Sequence, residues 1–212
     1  MARSAPGFIR PTGKATTSIE KQISALVETP TEKGKVLRMI KAVKWFGIVL
    51  LVIGVAVGGY MFSMQFADGP SGLVRGGPFQ TGELAEAPDD WSFLKGRMEI
   101  EFQTLTPDTS RVVWLGVLDK RLYVVSGYMN TTFGKLWKHW PHRLIEDDRI
   151  VLRIDGKLYE QRLERLMEHP QLTELMTIYA EKYGAGLVSA SPGQLQAALT
   201  NGDFWLFEVV DR

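Results

Sequence analysis

The stretch from Arg111 to Gly127 reads RVVWLGVLDKRLYVVSG. Two runs rich in β-branched and aromatic residues flank Leu118-Asp119-Lys120, which is short enough to be a tight hairpin connection. The same signature recurs on either side. RMEIEFQTL (97–105) precedes it, and RIVLRI (149–154) and KLYEQRLERL (157–166) follow, joined by Asp155-Gly156, a dipeptide that tolerates positive φ at low cost. Adjacent runs are therefore antiparallel. Further on, HPQLTELMTIYAEKYG reads as a helix with Leu172, Leu175, Met176 and Tyr179 on one stripe and Gly184 as its stop. SPGQLQAAL gives a second short helix. DFWLFEVVD gives a closing strand, with Phe204, Leu206 and Glu208 alternating against Trp205, Phe207 and Val209. About six antiparallel strands, one short helix after the third and two helices before the last, predict a mainly β, α+β domain closed into a small barrel, which removes its own sheet edges.

Upstream the chain changes character. Trp45 to Phe66, WFGIVLLVIGVAVGGYMFSMQF, is 22 residues without a charge. As a helix it covers a hydrocarbon core of about 30 Å. The run is longer than a signal-peptide core and is followed by FADGP rather than a small-x-small cleavage site, so a retained single span is expected. Residues 1–44 carry nine Lys/Arg against three Asp/Glu, and residues 67–212 carry sixteen against twenty-one, so a net charge of +1 conceals segments of +6 and −5. Lys33, Lys35, Arg38, Lys41 and Lys44 gather on the N-terminal side of the span, which is expected to keep that side cytoplasmic and send the C-terminal domain across the inner membrane, into the periplasm if the source is a Gram-negative bacterium. The acidic C-terminal part argues against a nucleic-acid partner. No cysteine is present, which removes thiolate chemistry and cysteine-held metal.

The expected organisation is a cytoplasmic tail over residues 1–30, with a short amphipathic helix at Ser18–Glu28, then a membrane-spanning helix with a cytoplasmic extension over 31–68, opened by a Thr31 cap. A linker over 69–90 and the barrel domain over 91–212 follow. Gly47, Gly54 and Gly58 share one side of the span. The Gly54–Gly58 spacing suits close approach of a partner helix, from its own copy or another transmembrane subunit, and equally suits the ordinary glycine content of such helices.

TTFGKLWKHWPHR (131–143) sets Lys135, Lys138 and Arg143 around Trp137 and Trp140. One reading makes it a short amphipathic helix whose Leu136, Trp137 and Trp140 cover the open end of the barrel while Lys138, His139 and Arg143 face water. The other makes it part of a phosphate site, since SGYMNTTFGK supplies hydroxyls, glycines and Lys135 in one loop. His139 and His142 lack a third ligand at a coordinating interval, so no metal is expected. Glu99 and Glu101 alternate on one strand face, as exposed strand glutamates commonly do. No nucleophile elbow and no nucleotide-type glycine loop occur, so catalytic residues stay unassigned.

WSF at Trp91–Phe93, RVVWLGV followed by RLYVVSG, GKLWKHW from Gly134 and DDRIVLRIDGKLYEQRLERL from Asp147 resemble the split β-barrel family of pyridoxamine 5′-phosphate oxidase-like and deazaflavin-dependent nitroreductase-like proteins. The resemblance covers about residues 79 to 211. It implies FMN or deazaflavin held at a dimer interface, with Arg111, Ser126, Lys135 and Trp137 as the cofactor-binding positions. Two expectations result. The first is a membrane-anchored, flavin-binding-like oxidoreductase. The second is a cofactor-free accessory or assembly subunit of a larger membrane complex, docking through its span and barrel.

Overall fold

The computed structural model describes residues 32–132, 134, 138–184 and 190–212. The Ser18–Glu28 helix, the Thr31 cap, and Lys135, Leu136 and Trp137 lie outside the described residues. The chain divides into two compact units, residues 1–57 and 58–212. Helix α1, Glu32–Met64, begins in the first and ends in the second. Its 33 residues run about 50 Å at 1.5 Å each, and it is long and apolar enough to cross a membrane. A Cβ added at Gly47, Gly54 or Gly58 would meet nothing within 4 Å.

Seven strands form the second unit: β1 (Glu83–Leu84), β2 (Glu99–Leu105), β3 (Asp108–Leu118), β4 (Arg121–Ser126), β5 (Arg149–Ile154), β6 (Lys157–Leu166) and β7 (Trp205–Asp211). Their order is β1-β6-β5-β2-β3-β4-β7, and a further pairing of β6 with β7, from Gln161↔Asp211 to Leu166↔Leu206, closes β2–β7 into a six-stranded antiparallel barrel. β1 adds to β6 in parallel. Both hairpin turns are tight, as expected, and the second has the Asp-Gly chemistry that its sequence predicts. Asp119 and Lys120 at φ 47° and 70°, and Asp155 and Gly156 at 52° and 77°, supply the paired left-handed residues that match a right-twisted ribbon.

Helix α2 is the single turn Trp140–Arg143. Helices α3, Leu172–Tyr183, and α4, Pro192–Asn201, pack on the outside of the barrel. A reciprocal Ser191–Gln194 capping box starts α4, and left-handed Gly184 ends α3. The two-residue period of the closing strand separates two cores. Trp205, Phe207 and Val209 join Phe102, Leu115 and Leu152 inside the barrel, while Phe204 and Leu206 join Leu175, Tyr179 and Leu199 beneath the helices. Gly116 lets α3 sit close, because a Cβ there would run into the Tyr179 ring.

Residues 65–82 form a strap held against the barrel. Asp68 accepts hydrogen bonds from the Gln80 N–H (2.7 Å), the Thr81 hydroxyl and Arg153 Nη1 (2.6 Å). Gly76 exchanges two backbone hydrogen bonds with Ser110 of β3, at 3.0 and 3.1 Å, and the buried Ser110 hydroxyl donates to the Gly77 carbonyl. Gly76 and Gly77 are buried where an added Cβ would collide with the carbonyls of Gly69 and Gln65. These glycines serve close packing of one chain segment on another.

Candidate functional site

Inward-facing positions on β3 run Val117, Leu115, Val113 and then Arg111. On β6 they run Tyr159, Gln161, Leu163 and then Arg165. Strand alternation thus places two guanidiniums at the same end of the barrel, at inward positions that are otherwise mostly hydrophobic, buried Gln161 being an exception. β4 ends there too, at Ser126, whose partner in β7 is Trp205.

Trp140 of α2 fills this mouth, edge-on to Phe102 at 5.1 Å and tilted against Phe207 at 5.7 Å. The Arg111 guanidinium lies 5.7 Å from the Phe102 ring centre and 5.8 Å from that of Trp140. Arg165 lies 3.5 Å over Trp205, against which His142 packs edge-on. Such cation–π contacts contribute about 0.5–2 kcal/mol each. The remaining polarity of these arginines is poorly met. The Nε atoms of both are enclosed and have no hydrogen-bond partner among the described residues, and Arg111 Nη2 reaches only the Thr109 hydroxyl, at 3.2 Å. A buried donor left unsatisfied costs about 1–3 kcal/mol.

Burial, and then the charges of Arg143 and Arg75, push the Arg111 guanidinium down to about 10. Three arginines therefore converge here, and among the described residues none of the three has a carboxylate within 4 Å. The nearby aspartates are committed elsewhere. Asp147 takes Arg149 and the Thr106 hydroxyl, and Asp148 takes Arg162.

Of the positions that the sequence resemblance selects, Arg111 and Ser126 come to one end of the barrel. Ser126 is buried and its hydroxyl donates to Met129 Sδ at 3.3 Å, so it presents no free donor. Lys135 and Trp137 lie outside the described residues. Lys138, expected to face water, is instead half-buried; its Nζ donates to the Gly127 carbonyl at 2.7 Å, and burial pushes its pKa down. Arg143 is likewise half-buried rather than free in water. Arg165 was legible from the alternation of KLYEQRLERL, which sets it on the face of Tyr159 and Leu163. Arg75 was not legible, since only the folding of the strap brings it to the barrel.

Glu99 and Glu101 stand on the outer face, beside a hollow of about 470 Å³ between the strap and β2. Most of its charges are paired: Arg153 holds Asp68 and Glu101 at 2.6 and 2.7 Å, and Arg97 holds Asp155 at 2.6 Å, which leaves Glu99 as the one lining charge without an ion pair among the described residues. The hollow offers a ligand much less unmet charge than the Arg111 end.

No family model and no curated protein matches the chain. Several solved structures do. Conserved hypothetical protein Rv2991 from Mycobacterium tuberculosis is 12% identical at a TM-score of 0.38, covering 60% of this chain and 86% of that one. A candidate 5-nitroimidazole antibiotic resistance protein from Bacteroides thetaiotaomicron is 12% identical at 0.36, covering 57% and 77%. A candidate pyridoxamine 5′-phosphate oxidase from Listeria innocua is 12% identical at 0.35, covering 56% and 87%.

Proposed function

We propose that this chain is a membrane-anchored barrel that binds a phosphate-bearing ligand of the FMN or deazaflavin class at its Arg111 end. The observation that carries the reading is the enclosed Nε of Arg111, without a hydrogen-bond partner among the described residues, beside two further arginines with no carboxylate among those residues within 4 Å. A guanidinium in that state lacks the anion its geometry suits. The donor set fits a phosphate: Arg111 would hold it from the barrel interior and Arg143 from α2, while Trp140 keeps water from the barrel core. A bound flavin or deazaflavin would supply hydride transfer; the protein would contribute orientation and charge.

In this reading α1 crosses the inner membrane once, with the N-terminus cytoplasmic and the barrel extracytoplasmic, because basic residues gather before the span. Gly47, Gly54 and Gly58 would receive a second transmembrane helix, from a homodimer partner or another subunit.

A second reading, a cofactor-free accessory subunit of a membrane complex, is favoured by Trp140. It packs on Phe102 and Phe207 and leaves the barrel interior full of side chains. Purification in detergent separates the two. The first reading expects a flavin-type absorption band, or saturable FMN uptake, that is lost in Arg111→Ala and weakened in Lys135→Ala. A colourless protein that refuses FMN and co-purifies with other membrane subunits supports the second.

A further inference from the structure

The strap pairs with β3 where β4 no longer reaches. Gly76 and Ser110 form an isolated antiparallel bridge with two hydrogen bonds, and the register it sets, carried one residue further, brings exposed Arg75 opposite Arg111. A position beside a hydrogen-bonded pair is a non-hydrogen-bonded one, where side chains stand closest, at about 4.5–5.5 Å between Cβ atoms. Like charges facing each other there are destabilising. Yet the strap is firmly built around this pairing. Asp68 clamps it to Arg153, buried Ser110 bonds the Gly77 carbonyl, and Gly76 and Gly77 have no room for a Cβ. A segment engineered so closely that ends by opposing two arginines suits an anion between them.

We propose that Arg75, carried by the strap that leaves the membrane helix, is the third guanidinium of the anion site, so that a phosphate monoester binds to the docked strap and in turn holds it docked. This rests on the phosphate-site reading above and adds to it a ligand group from outside the barrel, only 11 residues beyond Met64, the last residue of α1. Binding and strap docking are then one linked equilibrium, and each must favour the other by the same factor. The phosphate could belong to a soluble cofactor or to an anionic lipid headgroup.

Full-length protein in phosphatidylcholine nanodiscs tests this through amide exchange at Gly76 and Ser110, with inorganic phosphate, with FMN, or with phosphatidic acid in the disc. The expected result is exchange slowed about tenfold at both amides. Slowing by phosphate or FMN identifies a soluble ligand, and slowing by phosphatidic acid alone identifies a lipid. Arg75→Gln should weaken binding about ten- to a hundredfold without lowering the ligand-free melting temperature, since it also relieves the opposed charges, and Arg75→Lys should recover most of the binding. Gly76→Val keeps all three arginines but expels the strap, and should weaken binding equally. Should Arg75→Gln bind like wild type while Arg111→Gln does not, the phosphate site stands and the role of Arg75 is overturned. Binding that leaves both amides unchanged overturns the coupling. Wild-type protein that binds none of the three probes overturns both proposals.

Discussion

The two ends of the barrel meet the same requirement with different chemistry. At the end beside the β3–β4 turn, the Trp91 backbone N–H donates to the Lys120 carbonyl at 2.9 Å and its ring packs edge-on to Tyr159 at 5.6 Å, with Leu94 fully buried beside them. Hydrophobic and aromatic side chains alone close that end. At the other end Trp140 does the equivalent work, but Arg111 and Arg165 occupy the last inward positions, each with an enclosed Nε that lacks a partner among the described residues. Closing a barrel of this size therefore does not require arginine. The cations at one end represent a departure from the pattern that packing favours, and such departures concentrate at functional sites.

The largest expected effects come from the two tryptophans. Trp91→Ala and Trp140→Ala should each cost about 3–5 kcal/mol, read from denaturant midpoints, because both are buried barrel plugs. Only the Trp140 variant should also change phosphate or FMN affinity; an equal change in Trp91→Ala would erase the distinction between the ends.

A smaller effect separates the strap from the barrel. The Thr81 hydroxyl, then the Gln80 N–H and Arg153, hold the Asp68 carboxyl well below the usual carboxylate range. A depressed carboxylate pKa stabilises the fold above its unfolded value of about 3.9, and that contribution fades as pH falls below it. Amide protection at Gly76 and Ser110 should therefore decline below about pH 4 while the β5–β6 ladder stays protected. Asp68→Asn should loosen the strap by about 1–3 kcal/mol at neutral pH. Uniform loss across strap and barrel would show that they melt as one unit.

The smallest effect belongs to the outer surface. Arg162→Ala removes an exposed pair with Asp148 and should leave the unfolding midpoint and the ligand affinity essentially unchanged.

The barrel was readable in the sequence because period-two alternation and left-handed turn residues are local signals. The β5–β6 turn adopts the left-handed backbone that Asp155-Gly156 suits, the β3–β4 turn is as tight as its spacing implies although Lys120 is not a residue that favours positive φ, and the closing strand divides its faces between two cores as its alternation implies. Arg111 stood on a readable strand. Its lack of a partner did not show, because that depends on where Asp147 and Asp148 direct their charge across the fold. The strap was least legible. GPSGLVRGGP has the composition of a flexible segment, but its glycines at 76 and 77 are used for close contact, and only long-range pairing with Ser110 reveals this. Lys138 followed the same rule: helical spacing places it on an outer face, while a carbonyl eleven residues back draws it inward.

The most direct test measures the unfolding midpoint of full-length, detergent-solubilised protein and of Arg111→Met, with and without saturating phosphate or FMN. Methionine keeps an apolar stem but removes the unpartnered donor, so relief of about 1–3 kcal/mol is matched by the loss of two cation–π contacts at about 0.5–2 kcal/mol each, and the ligand-free midpoint should change little. Wild type should gain about 2.7 kcal/mol at a hundredfold excess of ligand over Kd, and the variant nothing. A less stable Arg111→Met, together with a wild-type midpoint that neither ligand moves, would show that the arginine serves the fold and that this end of the barrel binds no anion.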